Sequence, residues 1–305
     1  MKTIISTELH PIKLWLEDIE PNALSQARNL ANLPFAFHHI SIMPDAHSGY
    51  GMPIGSVLAT KGVIIPNAVG VDIGCGMCAL KTNVDDLDSE NLKAILSSIR
   101  KTIPVGRNWH SEQQDLSLMP KFQKHPEIIT RQFKNASFQL GTLGGGNHFI
   151  EIQRGSDGFI WVMIHSGSRN LGKTVAEHYN TIAKKLNERW HTNVPAQWDL
   201  AFLPIETDEA HAYTAEMNYC IEFALANRKL MMQRIQHAFI DVLKGRVEFG
   251  EMINKTHNFA AWEHHYNINV LVHRKGATRA RKGEWGIIPG SQGSNPSCSF
   301  PSKIH

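Results

Sequence analysis

The chain has 305 residues, of which 42% are hydrophobic and 19% charged, enough apolar content to bury a substantial core and too much for a disordered or fibrous protein. Against 28 Asp+Glu stand 31 Lys+Arg, so the net charge of +3 neither demands nor excludes a nucleic-acid partner, and any phosphate site has to be local. Four cysteines make no disulfide framework at this length, no apolar run reaches bilayer-spanning length, and Lys2, Glu8, Lys13, Glu17 and Asp18 break up Met1–Glu20; a cytoplasmic protein with no membrane partner is expected.

In chain order, Asn22 to Leu33 has helical spacing, and Ile40 to Met43, Val57 to Ala59 and Gly62 to Ile65 are short β-rich runs punctuated by Gly and Pro. Asp88 to Lys101 is again helical. Thr102 to Lys134 is polar and weakly patterned, which predicts a long surface excursion. Phe159 to Ile164 and Ile268 to Val272 are continuous apolar runs of strand length, ending at His165 and His273. Between them, Val175, Tyr179, Ile182, Leu186 and Trp190 recur at helical spacing, as do Tyr213, Met217, Ile221, Ala224 and Leu225 in a segment reaching about Leu243. No internal repeat or clear linker is visible, so a single α+β domain is the simplest organisation.

Seventeen histidines raise the prospect of metal chemistry. In Val69 to Gly76 a carboxylate, Asp72, and a thiol, Cys75, stand three residues apart among glycines that let the backbone turn towards a ligand. Cysteine binds metal as the thiolate, so such a turn needs imidazoles from elsewhere. His148, after the glycines of 141 to 146, His165, at a strand end, and His257 each sit at an element boundary; for each, a surface or hydrogen-bonded core histidine is the competing reading. Cys75 and Cys78 also form a CxxC, which could be a redox pair or half of a zinc site. There is no second CxxC, and Cys78 opens an apolar stretch, which favours Cys75 as ligand and Cys78 as packing.

Arg274, Lys275, Arg279, Arg281 and Lys282 crowd into nine residues, the densest positive charge in the chain, with Gly276 allowing close backbone approach. A solvated face is the usual reading of a charge run, but the position beyond the strand ending at His273 favours phosphate or RNA backbone. Ser166 to Arg169 offer hydroxyls and a guanidinium suited to phosphate, or a helix N-cap, or both.

Six segments, MPDAHSGYGMPIGSV (43 to 57), GVDIGCGM (70 to 77), GTLGGGNHFIE (141 to 151), HSGSRNLG (165 to 172), HNFAAWE (257 to 263) and RKGATRARKGEWGIIPGS (274 to 291), resemble in order the signatures of the RtcB-type 3′-phosphate/5′-hydroxyl RNA ligases. The resemblance implies an RtcB-like α+β fold, a compact domain of mixed β-sheets flanked by helices. It also implies two manganese ions, Asp72, Cys75 and His257 around one and Cys75, His148 and His165 around the other. Asp45 and His47 become orienting or substrate-contacting groups. Asn147, His148, Phe149, Ile150, Glu151, His257, Asn258, Pro289, Gly290, Ser291 and Gln292 match positions that contact GTP, and Arg169, Arg274, Lys275, Arg279 and Arg281 are the RNA or phosphate contacts.

The implied activity is GTP- and manganese-dependent joining of RNA 3′-phosphate or 2′,3′-cyclic-phosphate ends to 5′-hydroxyl ends. The family's guanylylated histidine lies in a His-Gly-Ala-Gly-Arg motif that these 305 residues do not contain. No catalytic residue is therefore assigned, and His273 matches the Arg-Lys-Gly-Ala segment rather than the nucleophile motif. The expected division is a core of residues 1 to 294 and a divergent tail of 295 to 305. The alternatives are a non-catalytic, metal-bound module that binds RNA ends, and a redox or zinc protein built on Cys75 and Cys78.

Overall fold

The computed structural model describes residues 1–121 and 126–287 and the backbone pairing of Ser302–Lys303. In chain order the elements are β1 (Thr3–Ile5), β2 (Ile12–Leu14), α1 (Pro21–Ala31), β3 (Ala36–His47), β4 (Ile54–Thr60), β5 (Val63–Ile64) and α2 (Pro66–Val69). There follow β6 (Gly76–Lys81), α3 (Ser89–Thr102), α4 (Glu127–Gln139), β7 (Phe149–Arg154), β8 (Ile160–Ser166), α5 (Arg169–Arg189), β9 (Leu203–Pro204) and α6 (Asp208–Val242). The last are β10 (Ile253–Thr256), β11 (Asn258–His265), β12 (Ile268–Lys275), β13 (Trp285–Gly286) and β14 (Ser302–Lys303). The class is α+β, with mixed sheets and flanking helices, as expected. Among the described residues, no helix is long and apolar enough to cross a membrane.

The chain divides into two compact units, each threaded from three stretches. The first, residues 1–73, 172–220 and 257–277, carries a sheet of order β1-β2-β3-β4-β12-β11, antiparallel except for the β2–β3 pair. Its core sets Ile12, Leu14, Ile40, Ile42 and Leu58 of the sheet against Ala27, Leu30 and Ala31 of α1. Each fully buried Leu or Ile stabilises the fold by roughly 2 kcal/mol.

The second unit, residues 74–171, 221–256 and 278–305, carries the antiparallel sheet β10-β6-β8-β7. Strand alternation divides its side chains cleanly. Cys78, Leu80, Val162 and Ile164 pack with Ile95 and Ile99 of α3 and Met231, Ile235 and Phe239 of α6. Met77, Ala79, Trp161 and Met163 point to the other face, the one to which His165 also belongs by alternation.

Two expectations need correction. The Thr102–Lys134 stretch is not all excursion: a 3₁₀ turn covers Leu116–Leu118, and α4 begins at Glu127, burying Ile128, Ile129 and Ala136. Strands β8 and β12 also run on past the apolar runs, so His165 and His273 lie inside strands rather than just beyond them.

Candidate metal centre

Three side chains converge in the second unit. Gly74, with φ of 80°, takes the left-handed turn that leads through Cys75 into β6. The ladders pair Met77 with His165 and Phe149 with His165, so one row across the sheet carries the ends of β6, β7 and β8 to the same place. There Cys75 Sγ lies 3.2 Å from His165 Nε2 and 3.5 Å from His148 Nε2. The two imidazoles are edge to face, 5.4 Å between centroids.

The other ring nitrogens fix the tautomers. His165 Nδ1 lies 2.8 Å from the Asn147 carbonyl oxygen and His148 Nδ1 lies 3.0 Å from that of Leu143. A carbonyl can only accept, so each Nδ1 carries a proton, and in the neutral form of each ring the lone pair is on Nε2, the atom turned towards the thiol. A thiol has one proton to share between two such lone pairs. A divalent cation held by a thiolate and two imidazoles uses all three donors, and the backbone-anchored Nδ1–H is the usual support of a ligating histidine.

The glycine-rich loop that positions His148 is itself held from α6. Asn227 Oδ1 accepts from the Gly141 and Thr142 amides at 2.7 and 3.1 Å, and its Nδ2 donates to the Thr142 and Gly167 carbonyls at 3.2 and 3.1 Å. Arg228, fully buried beside it, donates to Gly74 O, Ser166 O, Asn254 Oδ1 and Thr256 Oγ1. Sequence reasoning assigned this stretch of α6 to core packing and missed both residues. The available signal was a polar Asn-Arg pair on the helix face that also carries Phe223, Ala224, Met231 and Met232.

Cys78 takes no part. It is buried in the core beneath α3 and α6, and burial pushes its thiol up to about 12 although Arg228 pulls the other way. Among the described residues, Cys75, Cys78 and Cys220 form no disulfide. The geometry thus sets Cys75 beside two imidazoles and Cys78 in core packing.

Comparison with known proteins bears on the family. The family profile described as tRNA-splicing ligase RtcB matches residues 26–132 and 119–297. The chain belongs to the RtcB family. It is 37% identical to the RNA-splicing ligase RtcB of Escherichia coli K12 over 95% of its own length and 77% of that protein's. The tRNA-splicing ligases RtcB of Thermococcus kodakarensis and Methanococcus maripaludis are 30% and 31% identical, over 90% and 92% of this chain and 71% and 73% of theirs.

The other residues that the RtcB resemblance singles out lie as follows. Asp72 and His257 belong to the first unit: Asp72 stands three residues before Cys75, and the buried His257 follows Thr256 directly. Asn258 donates to Asp72 O at 3.0 Å and accepts from the Gly276 amide at 2.7 Å, so its amide ties the Asp72 backbone to that of Gly276. Asn147 is exposed, Phe149, Ile150 and Glu151 are half-buried on β7, and Asp45 and His47 are exposed, with His47 Nδ1 on Asp45 O. Pro289, Gly290, Ser291 and Gln292 lie outside the described residues, as does the 295–305 tail apart from the Ser302–Lys303 backbone, which pairs with Trp285–Gly286.

The basic cluster is not one face. Arg274 is buried and forks onto Glu263 at 2.5 and 3.3 Å. Lys275 is buried as well, donating to Tyr50 O and Asn67 O, and burial brings its ammonium down to about 7 against the opposing pull of Asp199. Arg279 pairs with Glu284 at 3.3 Å, and only Arg281 and Lys282 of the five are exposed. Arg169, half-buried in a left-handed backbone conformation with φ of 60°, donates to Thr142 Oγ1 and Gly106 O and lies where a side chain on Gly144 would collide with it. His273 is fully buried; its Nε2 accepts the Ile65 amide at 3.0 Å, and burial lowers it to about 4.

Proposed function

We propose that this chain is an RNA ligase that joins RNA 3′-phosphate or 2′,3′-cyclic-phosphate ends to 5′-hydroxyl ends, using GTP and two manganese ions, as in tRNA splicing or RNA repair. The observation that carries the reading is the meeting of Cys75, His148 and His165, with both tautomers set to point Nε2 at the thiol, in a chain of the RtcB family. Asp72 and His257 complete the ligand set. Covalent geometry supports them: consecutive Cα atoms are 3.8 Å apart, so Asp72 cannot stray more than about 11 Å from Cys75 along the backbone. His257 is one such step from Thr256, which pairs with Gly76.

Cys75, His148 and His165 alone would suit zinc as well as manganese; the Asp72 carboxylate adds the hard donor that manganese prefers. The bound ions would polarise phosphate oxygens and stabilise charge on attacking and leaving groups. The protein's own contribution is positional. Asn147, His148, Phe149, Ile150, Glu151, His257 and Asn258, with Pro289, Gly290, Ser291 and Gln292, form the guanine-nucleotide site. Arg169, Arg279 and Arg281 are the contacts for RNA phosphates, whereas Arg274 and Lys275 are spent inside the first unit, on Glu263 and on the Tyr50 and Asn67 carbonyls.

The test is to incubate the protein with manganese, GTP and two RNAs, one ending in a 3′-phosphate and one beginning with a 5′-hydroxyl, and to resolve the products. Joined RNA that needs both GTP and manganese is the expected result. RNA and manganese retention without joining would replace the reading by the non-catalytic end-binding module. Zinc binding without RNA retention would replace it by the cysteine-based one.

A further inference from the structure

The long helix α6 brings a fully buried arginine to the three backbone segments that flank the ligands of the candidate centre. Arg228 Nη1 donates to Gly74 O at 2.9 Å, immediately before Cys75, and to Ser166 O at 2.7 Å, immediately after His165. Its Nε donates to Asn254 Oδ1 at 2.7 Å and its Nη2 to Thr256 Oγ1 at 3.3 Å, the latter immediately before His257. Every one of these contacts lies one residue, or three, from a position that the family pattern makes a ligand. Asn254 is itself anchored, donating through Nδ2 to Leu225 O at 3.0 Å, so three hydrogen bonds tie β10 to α6.

We infer that Arg228 is the positioning residue of the metal centre, the group that sets the spacing of Cys75 and His165. This rests on the metal-site reading above. The guanidinium is suited to the task by shape: it is a rigid plane with five N–H donors in fixed directions, four bonds of which are accounted for here. Lysine carries the same charge as a single point on a flexible stem and cannot hold three segments at set angles. A centre whose ligands come from different strands and turns needs this kind of external clamp. Sub-ångström displacement of a ligand is felt in affinity, and losing the groups that orient ligands costs about 10–100-fold in metal binding.

The test uses the full chain and two readouts. The first is manganese affinity, from the free-ion electron paramagnetic resonance signal. The second is the thiolate-to-metal charge-transfer band of the cobalt-substituted protein, which reports the Cys75–metal bond directly. Arg228→Lys, which keeps the charge and loses the fork, should weaken manganese binding by about 10–100-fold and shift or quench the cobalt band. Thr256→Val, which removes one acceptor on β10 with little change in volume, should move the same two readouts in the same direction by less, with unchanged far-ultraviolet circular dichroism. If Arg228→Lys fails to fold, Thr256→Val and Asn254→Ala decide alone. Wild-type affinity and an unshifted band in the folded variants would overturn the positioning role while leaving the metal centre intact. A wild-type protein with no cobalt–thiolate band would overturn the centre itself, and the role with it.

Discussion

Strands β8 and β12 are matched in sequence, each an apolar run that delivers a histidine near its C-terminal end, and their histidines have opposite fates. His165 gives Nδ1–H to the Asn147 carbonyl and turns Nε2 to Cys75. His273 spends Nε2 on the Ile65 amide and is sealed in the first unit's core. What separates them is the partner of one ring nitrogen. A backbone carbonyl on Nδ1 leaves a lone pair for a cation, whereas a backbone amide on Nε2 consumes it.

The largest expected effect is at β8. Cys75→Ser or His165→Ala should cost manganese affinity about 100-fold or more, by titration against the free-ion signal, because a ligand is lost outright. His273→Ala should leave that affinity within about twofold and instead destabilise the fold by about 2–4 kcal/mol in urea unfolding, through a cavity and an unsatisfied Ile65 amide. If the two substitutions exchanged phenotypes, the distinction drawn here would be lost.

Acid sharpens the same contrast. His273 is held at about 4 by burial, against an ordinary value of 6.5. Between those values the unfolded chain takes up a proton that the folded chain refuses. The stability contribution is therefore complete above about pH 6.5 and is lost as the pH falls towards 4, by about 3 kcal/mol in all. His273→Gln, whose amide oxygen can still accept from Ile65, should flatten this limb of the stability–pH curve. An unchanged limb would mean that His273 does not stay neutral.

A smaller effect separates the two cysteines of the CxxC. Cys78→Ala should lower stability by about 1 kcal/mol, read as a drop in Tm, with no change in manganese affinity. The smallest effect lies on the surface. Arg281→Ala should weaken RNA retention modestly and reduce the slope of log affinity against log salt by about 1, while Arg274→Ala should show its main effect in stability, because Glu263 would lose its buried guanidinium.

The three converging side chains could be picked out in the sequence because each has a local marker: Cys75 a glycine turn, His148 the glycines before it, His165 the apolar run that carries it. What holds them could not. Asn227 acts on backbone 60 to 86 residues away and Arg228 on carbonyls 62 and 154 residues away, and nothing within a helical window says that a polar pair on a buried face reaches them. The basic cluster misled for the opposite reason. Five cations in nine residues look like one patch, but Arg274 and Lys275 belong to β12, where both neighbours bury their side chains, while Arg281 and Lys282 lie in the exposed stretch beyond. Helix α4 escaped because its first turns were read together with the Gln-, Pro- and charge-rich stretch before them.

The most direct measurement is X-ray absorption at the manganese edge of the loaded protein. A first shell containing a sulfur scatterer together with imidazole nitrogens, the sulfur disappearing in Cys75→Ser, is the expected result. A shell of oxygen alone, unchanged by that substitution, would show that Cys75, His148 and His165 do not hold the ion.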